Sequence, residues 1–489
     1  MRGEFLGGLV GAGAASTAGA EAPARKPVQF QARDFGAIGD GVRPDTKALQ
    51  AAIDACAEGG GGTVVLPAGK YLSGTLVLKS NITLLIEAGA VLLGSRQLSD
   101  YPSHVPAFRS YTDTYTERSL LYAENAQNLA IAGRGTMDGQ GKAFSGPYKM
   151  RPYMIRIIQC RNVTVSDVTI ENSPMWVQHY LACEEVIIRG IRVHSRVNQN
   201  NDGIDIDCCQ KVAISGCEIS SGDDAIVLKS TADRITRDVT ITGCVLSSAC
   251  NALKLGTESN GGFENIAISN CTIYNTRLAG LALETVDGGV IDRVTVTNLT
   301  MDHVGAPIFL RLGDRGRPFR EGGEKPPAGS FRNVTIGNVE ATGCGKTGCA
   351  VAGLPGHPIE NVTLHDIRLQ FTGGGRYQDV AREIPENSAK YPEYNMFGML
   401  PAYGLFCRHV RGLRLDNIDL GLERPDERPA VMFDDVEEAL VQGCRLQSAA
   451  SAFLRVRGSK AVSLIGNDLS HAEQAVDGEG VFQAANRLP

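Results

Sequence analysis

The chain has 489 residues, a formal charge of −6 and 57 glycines, against one tryptophan and 6% aromatics. Its charged fraction of 21% and hydrophobic fraction of 43% are those of a globular chain, which excludes the disordered and collagen-like classes. Slight acidity spread along the chain argues against a nucleic-acid partner. The lack of an apolar run of about eighteen residues argues against a membrane span.

In chain order, the amino terminus comes first. Arg2, Phe5 and Leu6, a small-residue run from Gly7 to Ala18, and Ala18-Gly19-Ala20 or Ala20-Glu21-Ala22 as a cleavage site have the make-up of an export signal. Gly3 stands where a twin-arginine signal carries its second arginine. The expected organisation is an export signal over 1–22 and one domain over 23–489, exported to the periplasm or the cell exterior. From Thr46 to Glu58, Ala48, Leu49, Ala52, Ile53 and Cys56 share one helical face between an Asp45-Thr46 start and a Gly59 to Gly62 stop. No other segment has helical periodicity, so this helix is expected to cap the end of something else.

That something is a repeat. A polar residue, then alternating β-branched residues, then Gly or Asn recurs as Arg161–Val165, Glu185–Ile188, Lys211–Ile214, Asp238–Ile241, Asn265–Ile268, Arg293–Val296, Asn333–Ile336, Asn361–Leu364 and Gly412–Leu415. Most spacings are roughly 23 to 28 residues. Each unit is a short strand with period-two alternation followed by a polar turn. One such unit cannot bury its apolar face, but stacked coils can, about 4.8 Å apart. The expected fold is all-β, a right-handed parallel β-helix with an amino-terminal capping helix, and the glycine excess over the roughly 34 of an average chain falls at its corners.

Thirteen cysteines in an exported chain invite disulfides. Cys217, Cys244 and Cys271 instead recur one unit apart, as buried thiols on successive coils would. Cys344 and Cys349, bracketing Gly-Lys-Thr-Gly, are the best disulfide candidate, and the vicinal Cys208 and Cys209 read as packed. No Cys or His pairing has zinc-site spacing, so no metal and no cofactor are expected. Two insertions interrupt the rhythm. Arg311 to Ser330 carries Arg311, Arg315, Arg317, Arg320 and Lys325; Gly373 to Tyr403 carries Tyr377, Tyr391, Tyr394 and Tyr403. Such loops either build a binding wall on the rigid stack or are simply solvated.

The chemistry-bearing constellation is a set of aspartates. Asp202 opens Asp202-Gly203-Ile204-Asp205, and Asp223-Asp224 follow one shortened coil later in Ser221-Gly222-Asp223-Asp224-Ala225. On a β-helix, residues one coil apart sit on adjacent rungs of one face. Clustered carboxyls repel and raise at least one pKa, so that one group keeps its proton while others stay ionised, as acid and base work on a glycosidic bond requires.

At these residues the chain resembles glycoside hydrolase family 28, the polygalacturonases and rhamnogalacturonan hydrolases, which have a pectin-lyase-like solenoid fold. The likeness includes Phe35-Gly36-Ala37 with Gly39-Asp40-Gly41, the Gly133-x-Gly135-Thr136-x-Asp138-Gly139-x-Gly141 stretch, and Asn172-Ser173-Pro174. The family's Asn-Thr-Asp appears as Asn200-Asn201-Asp202 and its Asp-Asp as Asp223-Asp224. The resemblance implies Asp223 as general acid, Asp202 and Asp224 as activators of water, inversion of configuration, and a pectin-like polysaccharide or oligosaccharide as partner. Two departures stand out. The family's Gly-His-Gly is replaced by Cys250-Asn251-Ala252, and its carboxylate-gripping Arg-Ile-Lys by Ala282-Leu283-Glu284. Glu for Lys reverses the charge offered to a uronate, a repulsion on the order of several kcal/mol at an effective dielectric near 20. Ordinary endo-cleavage of polygalacturonan is therefore not expected: either Lys254 or the arginines of the first insertion supply the charge, or the sugar there is neutral.

The expected substrate-binding residues are Asn200, Asn251, Lys254, Glu258, Glu284, Arg311 and Trp176. For Glu258 and Glu284 the alternative is structural pairing, for example with Lys254; for Trp176 it is core packing. His179 and His194 are the histidines nearest in sequence to replace the missing one. The competing functions are a polysaccharide lyase or epimerase on the same scaffold, and a non-catalytic glycan-binding β-helix.

Overall fold

The computed structural model describes residues 28–488; the expected export signal over 1–22 lies outside them. The described residues form a right-handed parallel β-helix, 35 strands hydrogen-bonded into one continuous parallel sheet. Its interior is a ladder of like residues. Val163 pairs with Val186, then Val212, Val239, Ile266, Val294, Val334, Val362 and Leu413 in turn. All nine are buried, each worth about 1.5–3 kcal/mol against exposure.

The polar residue that opens each unit has a backbone reason. Asn162, Lys211, Asp238, Asn265, Arg293, Asn333 and Asn361 all have φ between 53° and 57°, the left-handed region that Asn and Asp tolerate best. Stacked on the outside, the amides bond along the ladder: Asn162 Nδ2 donates to Asn128 Oδ1 at 2.9 Å and Asn361 Nδ2 to Asn333 Oδ1 at 3.2 Å. The helix Thr46–Glu58 buries Leu49, Ala52, Ile53 and Cys56 against the first coils, closing an end that would otherwise expose the core.

All thirteen cysteines are free, and all but Cys250 are buried. Cys217, Cys244 and Cys271 lie in the main core as expected. The expected Cys344–Cys349 bridge is not formed. Cys344 ends the strand Ser330–Cys344, Cys349 starts Cys349–Ala352, and both thiols pack into the core as small hydrophobes. Cys208 and Cys209 face opposite sides of the sheet, Cys209 in the core and Cys208 in an outer cluster.

One outer face is roofed by three segments. Residues 95–118 include Tyr111, whose N–H donates to Thr231 O at 2.7 Å. Residues 313–329 follow the strand Val290–Leu312, and residues 372–404, with the short helix Tyr377–Val380, follow Ile359–Phe371.

Candidate active site

Asp202, Asp224 and Asn251 hold one position on three consecutive rungs, each just ahead of a strand: Ile204–Asp207, Ile226–Ser230 and Leu253–Ser259. Gly203 N–H donates to Asp224 O and Ala225 N–H to Asn251 O, both at 2.9 Å. The rungs approach so closely at Gly203 that a Cβ there would stand 2.5 Å from the Ala225 carbonyl oxygen. Asn201 clamps the corner from inside. Its Oδ1 accepts the N–H groups of Val197 and Asn198, and its Nδ2 donates to Ser173 O and Met175 O at 2.9 Å.

Asp223 is half-buried, while Asp202 and Asp224 are buried. Asp223 Oδ1 accepts the Asp224 N–H at 2.9 Å, and Asn200 Nδ2 reaches its Oδ2 at 3.5 Å. Asn200 in turn accepts from Arg151 Nη2 at 2.9 Å. One oxygen each of Asp223 and Asp224 and the Cys250 sulfur lie within 4.8 Å of one another. Burial first, then the neighbouring Asp224, raises the pKa of Asp223. Burial and the charge of Asp223 push Asp202 well above the carboxylate range, with Lys229 opposing. Asp224 is met by donors: Asn251 Nδ2 at 2.9 Å, Asn251 N–H at 3.1 Å and Lys254 Nζ at 3.2 Å.

Two buried lysines form the floor. Lys229 Nζ lies 3.2 Å from Glu258, 3.7 Å from Asp205 and 3.8 Å from Asp202. Lys254 Nζ lies 3.2 Å from Asp224, 3.6 Å from Glu393 and 3.7 Å from Glu284. Burial alone would lower both ammonium pKa values, but the surrounding carboxylates raise them well above the usual lysine value. Burial would likewise raise Glu258, yet Lys229, Arg317 and Arg315 hold it well below the carboxylate range. Glu284 goes the other way. Burial dominates, and its pKa is raised well above normal.

The structure thus brings Asp202, Asp223, Asp224, Asn200, Asn251, Lys254, Glu258 and Glu284 together, but not in the roles expected of every one. Asn251 is fully buried and fully committed: it donates to Asp224 and Glu393 and accepts the Ala279 N–H at 2.9 Å. Its side chain positions carboxylates. Glu258 and Glu284 are paired to Lys229 and Lys254, the structural alternative. Arg311 is spent away from the carboxylates. Its guanidinium donates to Gly353 O and Glu386 O and packs on Phe397, anchoring the 372–404 segment. Trp176 is 4% exposed, edge-on to Tyr115 and His179, with Lys229 Nζ 4.7 Å from the ring centre. Its ring is therefore part of the wall and offers no open platform. His179 is buried against Asp207 at 3.1 Å, and His194 lies exposed on a different strand row, Arg192–Ser195. Neither takes the place of the missing histidine.

Sequence reasoning missed Lys229 and Glu393, and named Asp205 without giving it a role. Period-two alternation along Ile226–Ser230 was the available signal for Lys229, which stands in register with Asp207 of the preceding rung. Glu393 carried no such signal. It arrives from an insertion, 142 residues from its partner Asn251. Two arginines of the first insertion do reach the site, but already neutralised: Arg315 pairs with Asp287, and Arg317 with Glu258 at 2.6 Å, its Nη1 also donating to Tyr111 OH at 2.9 Å.

Fold and site together define a right-handed parallel β-helix with a carboxylate and lysine site on its outer face, roofed by loops. Residues 56–389 match the family model described as Glycosyl hydrolases family 28, and the chain belongs to that family. It is 36% identical over 215 residues to a "Probable polygalacturonase" of Vitis vinifera, covering 41% of this chain and 44% of the relative. It is 28% identical over 254 residues to the exo-poly-alpha-D-galacturonosidase of Dickeya chrysanthemi, covering 41% and 42%. The matched region is thus less than half the length of either relative. Among solved structures, the hyperthermoactive exopolygalacturonase from Thermotoga maritima superposes with a TM-score of 0.62 at 26% identity, over 71% of this chain and 89% of that one. The polygalacturonase from Erwinia carotovora shares the fold at a TM-score of 0.57 and 22% identity, over 72% and 96%.

Proposed function

We propose that the chain is a glycoside hydrolase that cleaves glycosidic bonds of pectin-like polysaccharide or oligosaccharide with inversion, Asp223 giving a proton to the leaving oxygen while Asp202 and Asp224 together activate water, Asp202 holding it and Asp224 taking its proton. The polygalacturonase relatives supply the substrate class. The observation that carries the chemistry is the contrast between adjacent carboxyls. Half-exposed Asp223 has a raised pKa beside Asp224, and Asp224 is ringed by Asn251 and Lys254 donors, the surroundings of a base. Asn200, tied to Arg151, orients the acid.

Attack at chain ends is the mode the roof favours. Arg317 lies 4.1 Å from the Tyr111 ring centre and joins segments 95–118 and 313–329, while Tyr391 of the third segment stands beside Arg315. The proposal extends to export, with residues 1–22 as signal and one domain over 23–489.

The test is Asp223→Asn. Loss of reducing-sugar release by about 10²–10⁴-fold, with oligosaccharide binding retained, is expected; unchanged turnover would dismiss the assignment. Products with the inverted anomer and no ultraviolet absorbance separate hydrolysis from a lyase. Slow loss of viscosity relative to sugar release checks chain-end action.

A further inference from the structure

We infer that Tyr391 and Glu393, delivered by the 372–404 segment, form the binding position for an uncharged sugar next to the cleavage point. This rests on the hydrolase function proposed above and adds to it a subsite and its selectivity.

The position has a platform. Tyr391 is 51% exposed, yet its ring is held in place: Lys254 Nζ and Arg315 Cζ each lie 5.5 Å from its centre. Two cations against one ring fix its orientation, and the exposed part is free to take the C–H face of a sugar, an amphipathic surface suited to an aromatic ring. Beside it stands an acceptor. Glu393 is 20% exposed; its Oε2 takes the Asn251 amide at 3.3 Å, and its Oε1 lies 3.6 Å from Lys254. Each carboxylate oxygen retains acceptor capacity for a sugar hydroxyl.

The charges around this position decide what it takes. One ammonium, Lys254, is shared among Asp224, Glu284 and Glu393. The next cations are spent: Arg315 on Asp287 and on Thr257 O at 3.1 Å, Arg317 on Glu258 and Asp287. A uronate set on Tyr391 would meet Glu393, and Arg277, the guanidinium at Cys250 that has no carboxylate partner among the described residues, is turned to Ala249 O and the Cys250 sulfur, whereas a neutral sugar would meet an acceptor and a ring. Like-charge contact in a partly desolvated setting disfavours the uronate by about tenfold or more.

The experiment uses the full chain carrying Asp223→Asn, so that ligands survive, and calorimetric binding of two oligosaccharides that differ only in whether the sugar placed there is a uronate or its carboxyl-reduced, neutral form. Tighter binding of the neutral form by about tenfold or more is expected. Added Tyr391→Ala should weaken the neutral ligand by about tenfold, and added Glu393→Gln should narrow the gap between the two. Equal or tighter binding of the uronate, no binding of either, or losses identical for both ligands in both variants would overturn the inference. Thermal midpoints that stay within a few degrees of the parent chain in the two variants exclude misfolding as the cause. Selective binding by a wild-type chain that releases no sugar would dismiss hydrolysis and leave the subsite standing.

Discussion

Replacing Lys229 by Met tests whether the floor of the site is held by charge compensation. The side chains are similar in length, so little volume is lost, but three buried carboxyls lose a shared cation. At 3.2 Å and an effective dielectric near 20 the Lys229–Glu258 attraction alone is about 5 kcal/mol before desolvation. Arg317 remains on Glu258 at 2.6 Å and offsets part of it. Breaking a buried pair typically costs about 3–5 kcal/mol. Unfolding entropy near 2.1 cal/mol/K per residue scales to about 1 kcal/mol/K for this chain, so the thermal midpoint should fall by about 3–5 °C.

The pH dependence carries the sharper test. Glu258 is held well below its unfolded pKa of about 4.3, so its stabilisation is full above that value and fades as pH falls through the folded one. Asp202 and Asp205 are raised and have the opposite slope, contributing most at low pH and losing it as pH rises. Without Lys229 the Glu258 contribution shrinks and the two aspartates rise further. From pH 7.5 down to 4.5 the Glu258 loss stays nearly constant, because its folded value lies well below that range. The aspartates alone make the loss vary, so the variant should be most destabilised at pH 7.5 and somewhat less at pH 4.5 without reaching the wild type. Chemical denaturation at pH 4.5, 6 and 7.5 measures this. A loss that grows as pH falls, or one below about 1 kcal/mol at pH 7.5, would refute charge compensation as the role of Lys229.

In a hydrolase that needs Asp223 protonated, activity falls as pH rises through its raised pKa; Glu393→Gln removes a nearby negative charge, so the alkaline limb of the pH–rate profile should move to lower pH, and an upward move would contradict the assignment. Cys250 is the one thiol only half-buried, and that partial burial, with Asp223 and Asp224 beside it, raises its pKa. A maleimide should therefore label a single cysteine of the native chain slowly, faster in Asp223→Asn, and all thirteen only after denaturation. Gly203→Ala forces a Cβ to within 2.5 Å of Ala225 O; activity should fall with a drop in thermal midpoint, whereas an unperturbed variant would show that the rungs tolerate wider spacing.

The period of the chain determined the stack. Polar residues in left-handed corners, the apolar ladder from Val163 to Leu413 and the buried Cys217, Cys244 and Cys271 all follow from contacts between a residue and its equivalent one coil away, which a repeat writes directly into the sequence; the helix Thr46–Glu58 was legible from its own helical period. The aspartates were legible for the same reason, since Asp202 and Asp224 occupy one position on adjacent rungs. Tertiary structure alone decided who neutralises whom. Glu393, Arg315 and Arg317 come from insertions with no period, so nothing in their spacing shows that the first joins Lys254 or that the arginines arrive already paired. Nor does spacing show that Arg311 is spent on backbone carbonyls, that Trp176 is walled in, or that Cys344 and Cys349 pack as thiols. A repeat fixes which residues share a face, but burial and the partner that reaches each charge depend on loops folding back over that face.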